Sequence, residues 1–509
     1  MDTLIALGNG FAIAATPFNL LMILSGCLLG TIIGALPGIG PINGMAILMP
    51  IAYALNFPPE SALILLVGVY YGAEYGGRVS SILLNVPGDA GAVMTTLDGN
   101  PMARNGEAAK ALTMSAIASF VGATFAIVLL TLIGPLLASV AIAFGPAEYV
   151  GLMVFAFATL GAMVGSNSAK TLIAAGLGLM IATIGVDSGT GVDRFTLGSP
   201  NLLDGIDFLV VVIGLFGISE LFALIEQHGG GQLIKASGLG RVAVSMKDVL
   251  DVKWTMIRCS IIGFIIGVLP GTGASVASAV AYGTEKRLAG ESGRFGKGDV
   301  RGLVAPEAAN NASAAGSMVP MLTLGVPGSG TTAILLGVLL LFNITPGPLL
   351  FTQHPDVAWG LIASMYIGNI ALLIINIPLV GLLVRMIMLP TAYLVPVIAT
   401  LTFVGVFSVA GHSFDLYLMI GFGVFGYILR KLDFSLAPVI LGVVLGEIFE
   451  QNLRRALSIS DGDWSILFQT PATIILWMMA VVILFAPLLL KRLKRQEPRF
   501  AHADTVGEE

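Results

Sequence analysis

Charge is scarce in this chain. Only 11% of its 509 residues are Asp, Glu, Lys or Arg, against about a quarter in an ordinary soluble domain. That shortage excludes a water-facing globular surface, and the lack of any extended basic surface excludes a nucleic-acid partner. Cysteine is nearly missing too. Cys27 and Cys259 each lie about ten residues ahead of a Pro-Gly pair, a placement that argues against a disulfide, and two thiols alone do not make a metal site. The four histidines, His228, His354, His412 and His502, are scattered without ligand spacing. No Ser–His–acid or Cys–His grouping can be assembled, so no enzyme is expected and no cofactor is called for. The start Met1-Asp2-Thr3 lacks the basic residues of a cleavable signal peptide, which leaves the first spanning segment to serve as an uncleaved signal.

What the chain has in excess is apolar length and glycine. Hydrophobic residues make up 56%, glycines number 64, and the mean hydropathy is +0.93. Long apolar runs recur throughout, where a barrel would show short alternating strands. The expected class is an all-α polytopic membrane protein in the lipid bilayer, with about 11–12 membrane segments.

Within the apolar runs, Pro-Gly pairs fall in two matched sets. Gly34-Ala35-Leu36-Pro37-Gly38-Ile39-Gly40-Pro41 returns as Gly267-Val268-Leu269-Pro270-Gly271-Thr272-Gly273-Ala274. Val86-Pro87-Gly88-Asp89-Ala90-Gly91 returns as Val326-Pro327-Gly328-Ser329-Gly330-Thr331, and the sets lie roughly 233 to 240 positions apart. Proline removes a backbone donor and obstructs the preceding turn, while glycine allows backbone shapes that other residues resist. Non-helical backbone at membrane depth is tolerated only inside protein or beside a watery cavity. A helix restarting after such a break aims unpaired N–H groups and partial positive charge into that cavity. One break is explained by close helix packing; four in two matched pairs point to a transporter's binding site.

The candidate substrate-binding residues are therefore Gly38, Ile39, Gly40, Pro41, Asn43, Gly88, Asp89, Gly271, Thr272, Gly273, Ala274, Ser275, Gly328, Ser329, Gly330 and Thr331. Helix N-termini and hydroxyls suit a di- or tricarboxylate without a buried lysine. Carbonyl, Asn and Ser oxygens suit a hard cation, which makes sodium the expected coupling ion, with Asn43, Asn85, Ser275, Asn310 and Asn311 as candidate ligands. Proton coupling through Glu74 or Asp89 is the alternative. Gly296-Lys297-Gly298-Asp299 matches the G-x-G-D pattern of intramembrane aspartyl proteases, but it lies in a basic loop without an obvious partner aspartate.

The chain divides into a first repeat over 1–225, a cytoplasmic linker over 226–258, a second repeat over 259–455, and an extra helix with a tail over 456–509. Residues 1–17 read as a weakly amphipathic lead. Residues 18–36 and 42–55 read as a hairpin around the first break, and 61–75 and 78–86 as two pieces before the second. Asp98–Lys110 reads as a polar loop, followed by apolar segments near 111–142, 147–165, 169–186 and 206–225. The second half offers segments near 357–387, 391–410, 415–430 and 436–450, closed by 466–490. Lys and Arg mark the cytoplasmic side. Glu285–Arg301 holds five bases where its counterpart Asn56–Glu60 has none, and Asp98–Lys110 holds two where Asn343–Asp356 has none. Equivalent loops then lie on opposite sides, and the repeat is predicted to be inverted, with about five crossings per half. Arg430 with Lys431 and Arg454 with Arg455 fit less well, because this scheme puts both pairs outside.

At these residues the chain resembles the large membrane subunit of the tripartite tricarboxylate transporter family. The resemblance rests on Gly34–Pro41, Tyr71–Gly77, Asn85–Gly91, Gly267–Ser275, Gly325–Thr332 and Thr345–Phe351, in that order along nearly the whole chain. It implies a permease of the bacterial cytoplasmic membrane that works with a small membrane subunit and an extracytoplasmic solute-binding protein. Members carry varied carboxylates, usually on an ion gradient. A passive anion channel or an intramembrane enzyme are the competing functions.

Overall fold

The computed structural model describes residues 3–36, 39–163, 168–187, 189–226, 244–290, 293–377, 391–410 and 412–495. It is almost wholly helical, as composition requires. The first half runs α1 (Thr3–Ala14), α2 (Pro17–Ala35), α3 (Gly40–Ala54), α4 (Pro59–Leu84), α5 (Val93–Met102), α6 (Ala108–Ala141), α7 (Pro146–Met163), α8 (Ser168–Ala182) and α9 (Phe208–Glu226). The second runs α10 (Lys253–Val268), α11 (Gly273–Ala289), α12 (Val300–Gly316), α13 (Met318–Leu324), α14 (Gly330–Leu341), α15 (Pro355–Asn376), α16 (Thr391–Ala410), α17 (Ser413–Lys431) and α18 (Ala437–Ile459), with α19 (Pro471–Arg495) closing the chain. A two-residue strand pair, Gly185–Val186 against Asp193–Arg194, is antiparallel with Gly185 opposite Arg194.

Among the described residues, five helices are long and apolar enough to cross a membrane, and several apolar helices of 10–17 residues accompany them. Pro59–Leu84 is long but carries Glu60, Glu74 and Arg78, and nearly all of it is buried in protein. Its polar groups are tolerated because neighbouring helices, not lipid, surround them.

Glycine sets how close the helices come. A Cβ at Gly30 would stand 2.7 Å from the Val69 Cα, and one at Gly34 2.6 Å from the Ala73 Cα. In the second half a Cβ at Gly263 would stand 2.7 Å from the Ala309 Cα, and one at Gly267 2.8 Å from the Ser313 Cα. Small residues one turn apart thus lay α2 along α4 and α10 along α12. The offsets between these contacts match those between the breaks. The halves also exchange partners. α9 runs beside α17 in the same direction, from Gly214 at Phe422 to Glu226 at Tyr427 and Lys431. α8 runs likewise beside α18, from Gly178 at Gly442 to Asp187, just past its end, at Arg454.

Several sequence expectations change. The lead is an apolar helix, α1, seated on α15, where a Cβ at Gly10 would stand 2.7 Å from the Trp359 carbonyl carbon. α4 continues through Gly76-Gly77, because Gly76 faces the α2 backbone at Ala35 and Gly77 the Asp89 side chain. Asp98–Lys110 is the end of α5, a kink at Gly106 (φ +86°) and the start of α6, not a loop, and Asp98 is fully buried. Its carboxylate accepts the backbone N–H groups of Gly296, Gly298 and Asp299 at 2.8–2.9 Å and the Tyr282 hydroxyl at 3.0 Å. The G-x-G-D stretch is therefore a backbone cradle for Asp98. Residues 253–258 belong to α10 instead of the linker. The Gly229-Gly230-Gly231 stretch and residues 378–390 fall outside the described residues.

Arg430 and Lys431 require the main correction. They pair with Glu220 and Glu226, at the end of α9 that leads into the linker. They lie on the linker's side, not opposite it. Arg454 sits at the other end of the molecule with Asp187, Arg194 and Glu450. There the Asp187 carboxyl is held below the usual carboxylate range, first by the Gly189 and Thr190 N–H groups and then by Arg454 and Arg194.

Candidate functional site

All four breaks open onto one cavity of about 560 Å³. At the first, α3 restarts at Gly40, whose φ is +63°, with no side-chain cap at Ile39. At the third, α11 restarts at Gly273 (φ +67°) after Gly271 (φ +78°), again uncapped, because the Thr272 hydroxyl turns back to the carbonyls of Ile266 and Leu269. Two helix N-termini thus present free N–H groups to the same space.

The second and fourth breaks are built alike. Asn85 (φ 59°) and Gly325 (φ 69°) end α4 and α13 in the left-handed conformation. After them, Asp89 accepts the Ala92 N–H at 2.9 Å ahead of α5, and Ser329 forms a capping box with Thr332 ahead of α14. The third and fourth breaks are tied together, since the Gly271 N–H donates to the Gly328 carbonyl at 2.9 Å. The Thr159 hydroxyl donates to the Pro270 carbonyl at 2.5 Å.

Of the predicted substrate residues, Ile39, Gly40, Pro41, Asn43, Gly88, Asp89, Gly271, Thr272, Gly273, Ala274, Ser275, Ser329, Gly330 and Thr331 line this cavity. Gly38 falls outside the described residues. Gly328 stands behind the wall, where a Cβ would lie 2.7 Å from the Ser317 Cα. It packs rather than approaching a ligand. The predicted ion ligands scatter more. Asn43 and Ser275 line the cavity, Asn85 serves as the α4 C-cap, and Asn311 donates to the Glu307 carbonyl at 3.1 Å. Asn310 is buried beside Glu74.

Sequence reasoning missed Tyr70, Phe216, Arg430, Phe434, Ser435, Leu436 and Ala437 in the lining. Arg430 matters most as the only basic residue there among the described residues. It pairs with Glu220, whose Oε2 also accepts the Asn43 amide at 3.1 Å. The signal for it was present: a base pair that fitted the charge scheme poorly. A second cavity, of about 790 Å³, lies by α8 and α18. Of its ionic groups, Arg194 and Arg454 both pair with Glu450, while Asp204, Glu447 and Arg455 also line it. No cluster of three His, Cys, Asp or Glu fit for a metal occurs among the described residues, and both cysteines are free and buried.

Comparison with known proteins decides the family. The model of the tripartite tricarboxylate transporter TctA family matches residues 20–441. The chain belongs to that family. As a TctA-family chain it is a multi-pass membrane protein of a tripartite tricarboxylate transporter. It is 38% identical over 507 residues to an uncharacterized 52.8 kDa protein in the TAR-I ttuC' 3' region of Agrobacterium vitis, covering 99% of this chain and all of that one. It is 42% identical over 236 residues to a protein in the TAR-II ttuC' 3' region of the same organism, covering 46% of this chain and 98% of that one. No solved structure matches.

Proposed function

We propose that the chain is the permease subunit of a sodium-driven importer for an organic di- or tricarboxylate. It works in the bacterial cytoplasmic membrane beside a small membrane subunit and receives substrate from an extracytoplasmic binding protein. The observation that carries this reading is the convergence of four helix breaks on one cavity, with two uncapped helix N-termini and Arg430 in its wall. The cavity falls within the range of small-molecule sites. A helix N-terminus contributes about 0.3–1 kcal/mol toward an anion, and up to ~2 kcal/mol when partly buried. Two of them orient one carboxylate each without a strong trap, which a transporter must avoid. Arg430 offers a planar pair of donors for a further carboxylate. Glu220 pairs with Arg430, so substrate replaces Glu220 there and Asn43 follows the exchange.

The test is uptake of labelled carboxylates by proteoliposomes holding the permease with its small subunit, supplied with loaded binding protein. Accumulation is expected when a sodium gradient is imposed. Arg430→Gln is expected to lower uptake at least tenfold while the complex stays assembled. Uptake that only follows the substrate gradient makes the protein a channel, and accumulation that needs ATP without any ion gradient overturns the proposal.

A further inference from the structure

Two buried carboxylate sites beside the breaks are provided for differently. Glu307 is fully buried, and its oxygens accept the hydroxyls of Thr95 at 2.5 Å and Ser119 at 2.9 Å. Arg78 donates to Ser119 at 3.0 Å and supplies the opposite charge. Glu74, 3% exposed, has no such partner. Its charged neighbour is another carboxylate, Asp89, and among the described residues the ion pairs of basic side chains go to other acids. Asp89 Oδ1 accepts the Ala92 N–H, but Asp89 Oδ2 and Glu74 Oε2 are buried without a partner.

A third group converges on the pair from the second half. Asn310 is 1% exposed and its amide approaches Glu74, but neither its oxygen nor its nitrogen reaches full hydrogen-bond geometry. A Cβ at Gly91 would stand 2.9 Å from the Asn310 amide carbon and 3.0 Å from Asp89 Oδ1, so one glycine separates them. Facing carboxylates in a poorly polarisable interior repel each other, and buried acceptors without donors are costly. A single proton would neutralise one carboxylate and serve only one of the remaining acceptors, Asp89 Oδ2 or the Asn310 oxygen. A small hard cation supplies both the charge and the coordination, because such ions take carboxylate and amide oxygens together.

We infer that Glu74, Asp89 and Asn310 hold the coupling sodium ion, in a site shared between the second break of the first half and α12 of the second. This deepens the sodium-driven reading given above and rests on it. Glu74 and Asp89 also line the substrate cavity, so the bound ion places its charge in the cavity wall and favours carboxylate binding. A substrate bound there in turn holds the ion.

The experiment reads sodium alone, with no substrate. The purified complex of permease and small subunit is titrated with sodium chloride in choline buffer, with potassium as control, and thermal unfolding is followed. The expected result is a saturable rise in unfolding temperature with sodium and none with potassium. Glu74→Gln and Asn310→Ala are expected to raise the half-saturating sodium concentration at least tenfold. Asn310→Asp, which keeps an oxygen and the side-chain size, is expected to retain the response, and it guards against reading a folding defect as lost binding. A sodium response unchanged in Glu74→Gln and Asn310→Ala moves the site elsewhere and overturns this inference while leaving sodium coupling standing. No sodium response in the unmodified complex, with uptake driven by a pH gradient, overturns both.

Discussion

Gly271→Ala separates two physical roles of a helix break. Gly271 has φ +78°, where a side chain costs about 1–2 kcal/mol. A Cβ there would not enter the cavity; it would run into the Leu160 side chain, overlapping its Cγ and one methyl and standing 3.4 Å from the other. Leu160 is 1% exposed, and overpacking of this kind costs about 1–3 kcal/mol. Together these give about 2–5 kcal/mol of destabilisation, so bulkier Gly271→Val is expected to fail in assembly and not merely in transport. The two causes part in a double-mutant cycle. Leu160→Ala alone costs about 2–5 kcal/mol, but in that background Gly271→Ala should cost only the backbone share of about 1–2 kcal/mol. The assay is SDS titration of the purified complex in mixed micelles, read by intrinsic fluorescence, with uptake measured on the same preparations. Equal cost in both backgrounds would refute the contact with Leu160. Unchanged stability with lost uptake would show that the glycine serves the ligand and not the fold.

Three further outcomes are expected. Glu307→Ala leaves Arg78 buried without its countercharge and should destabilise the complex by about 3–5 kcal/mol in the same titration; an effect below about 1 kcal/mol would mean that Arg78 is not held by this pair. Asp98→Ala removes an acceptor of three backbone N–H groups and one hydroxyl, so trypsin should cut faster after Arg294 and Lys297, and an unchanged cleavage rate argues against the cradle. Glu60→Cys should react with an impermeant thiol reagent added to intact cells and Arg294→Cys only in inside-out vesicles, against a low background because Cys27 and Cys259 are buried; labelling of both from one side refutes the inverted repeat.

The matched Pro-Gly breaks were legible because a break in an apolar run depends on local backbone chemistry, and proline and glycine announce it whatever surrounds them. That they open onto one cavity was foreshadowed by their falling in two matched pairs. Asn85 ends α4 in the left-handed conformation, a backbone role that the sequence does not separate from that of an ion ligand. The Asp98 region was misread because polar residues inside a membrane protein resemble a loop until their buried partners are known. Arg430 was placed on the wrong side, and its ion pair with Glu220 spans 210 residues, beyond the reach of any local pattern.

By itself the sequence determined a helical membrane protein with four Pro-Gly breaks in two matched pairs, and a family resemblance that the comparisons bear out. These follow from composition and from chain-local rules of helix formation. The tertiary structure alone decided that Arg430 stands in the cavity wall, that Gly328 packs on Ser317 behind it, and that Glu74 and Asp89 meet Asn310 without a basic partner. Each of those facts joins residues far apart in the chain, and whether a buried polar group is satisfied depends on which distant helix the fold brings against it.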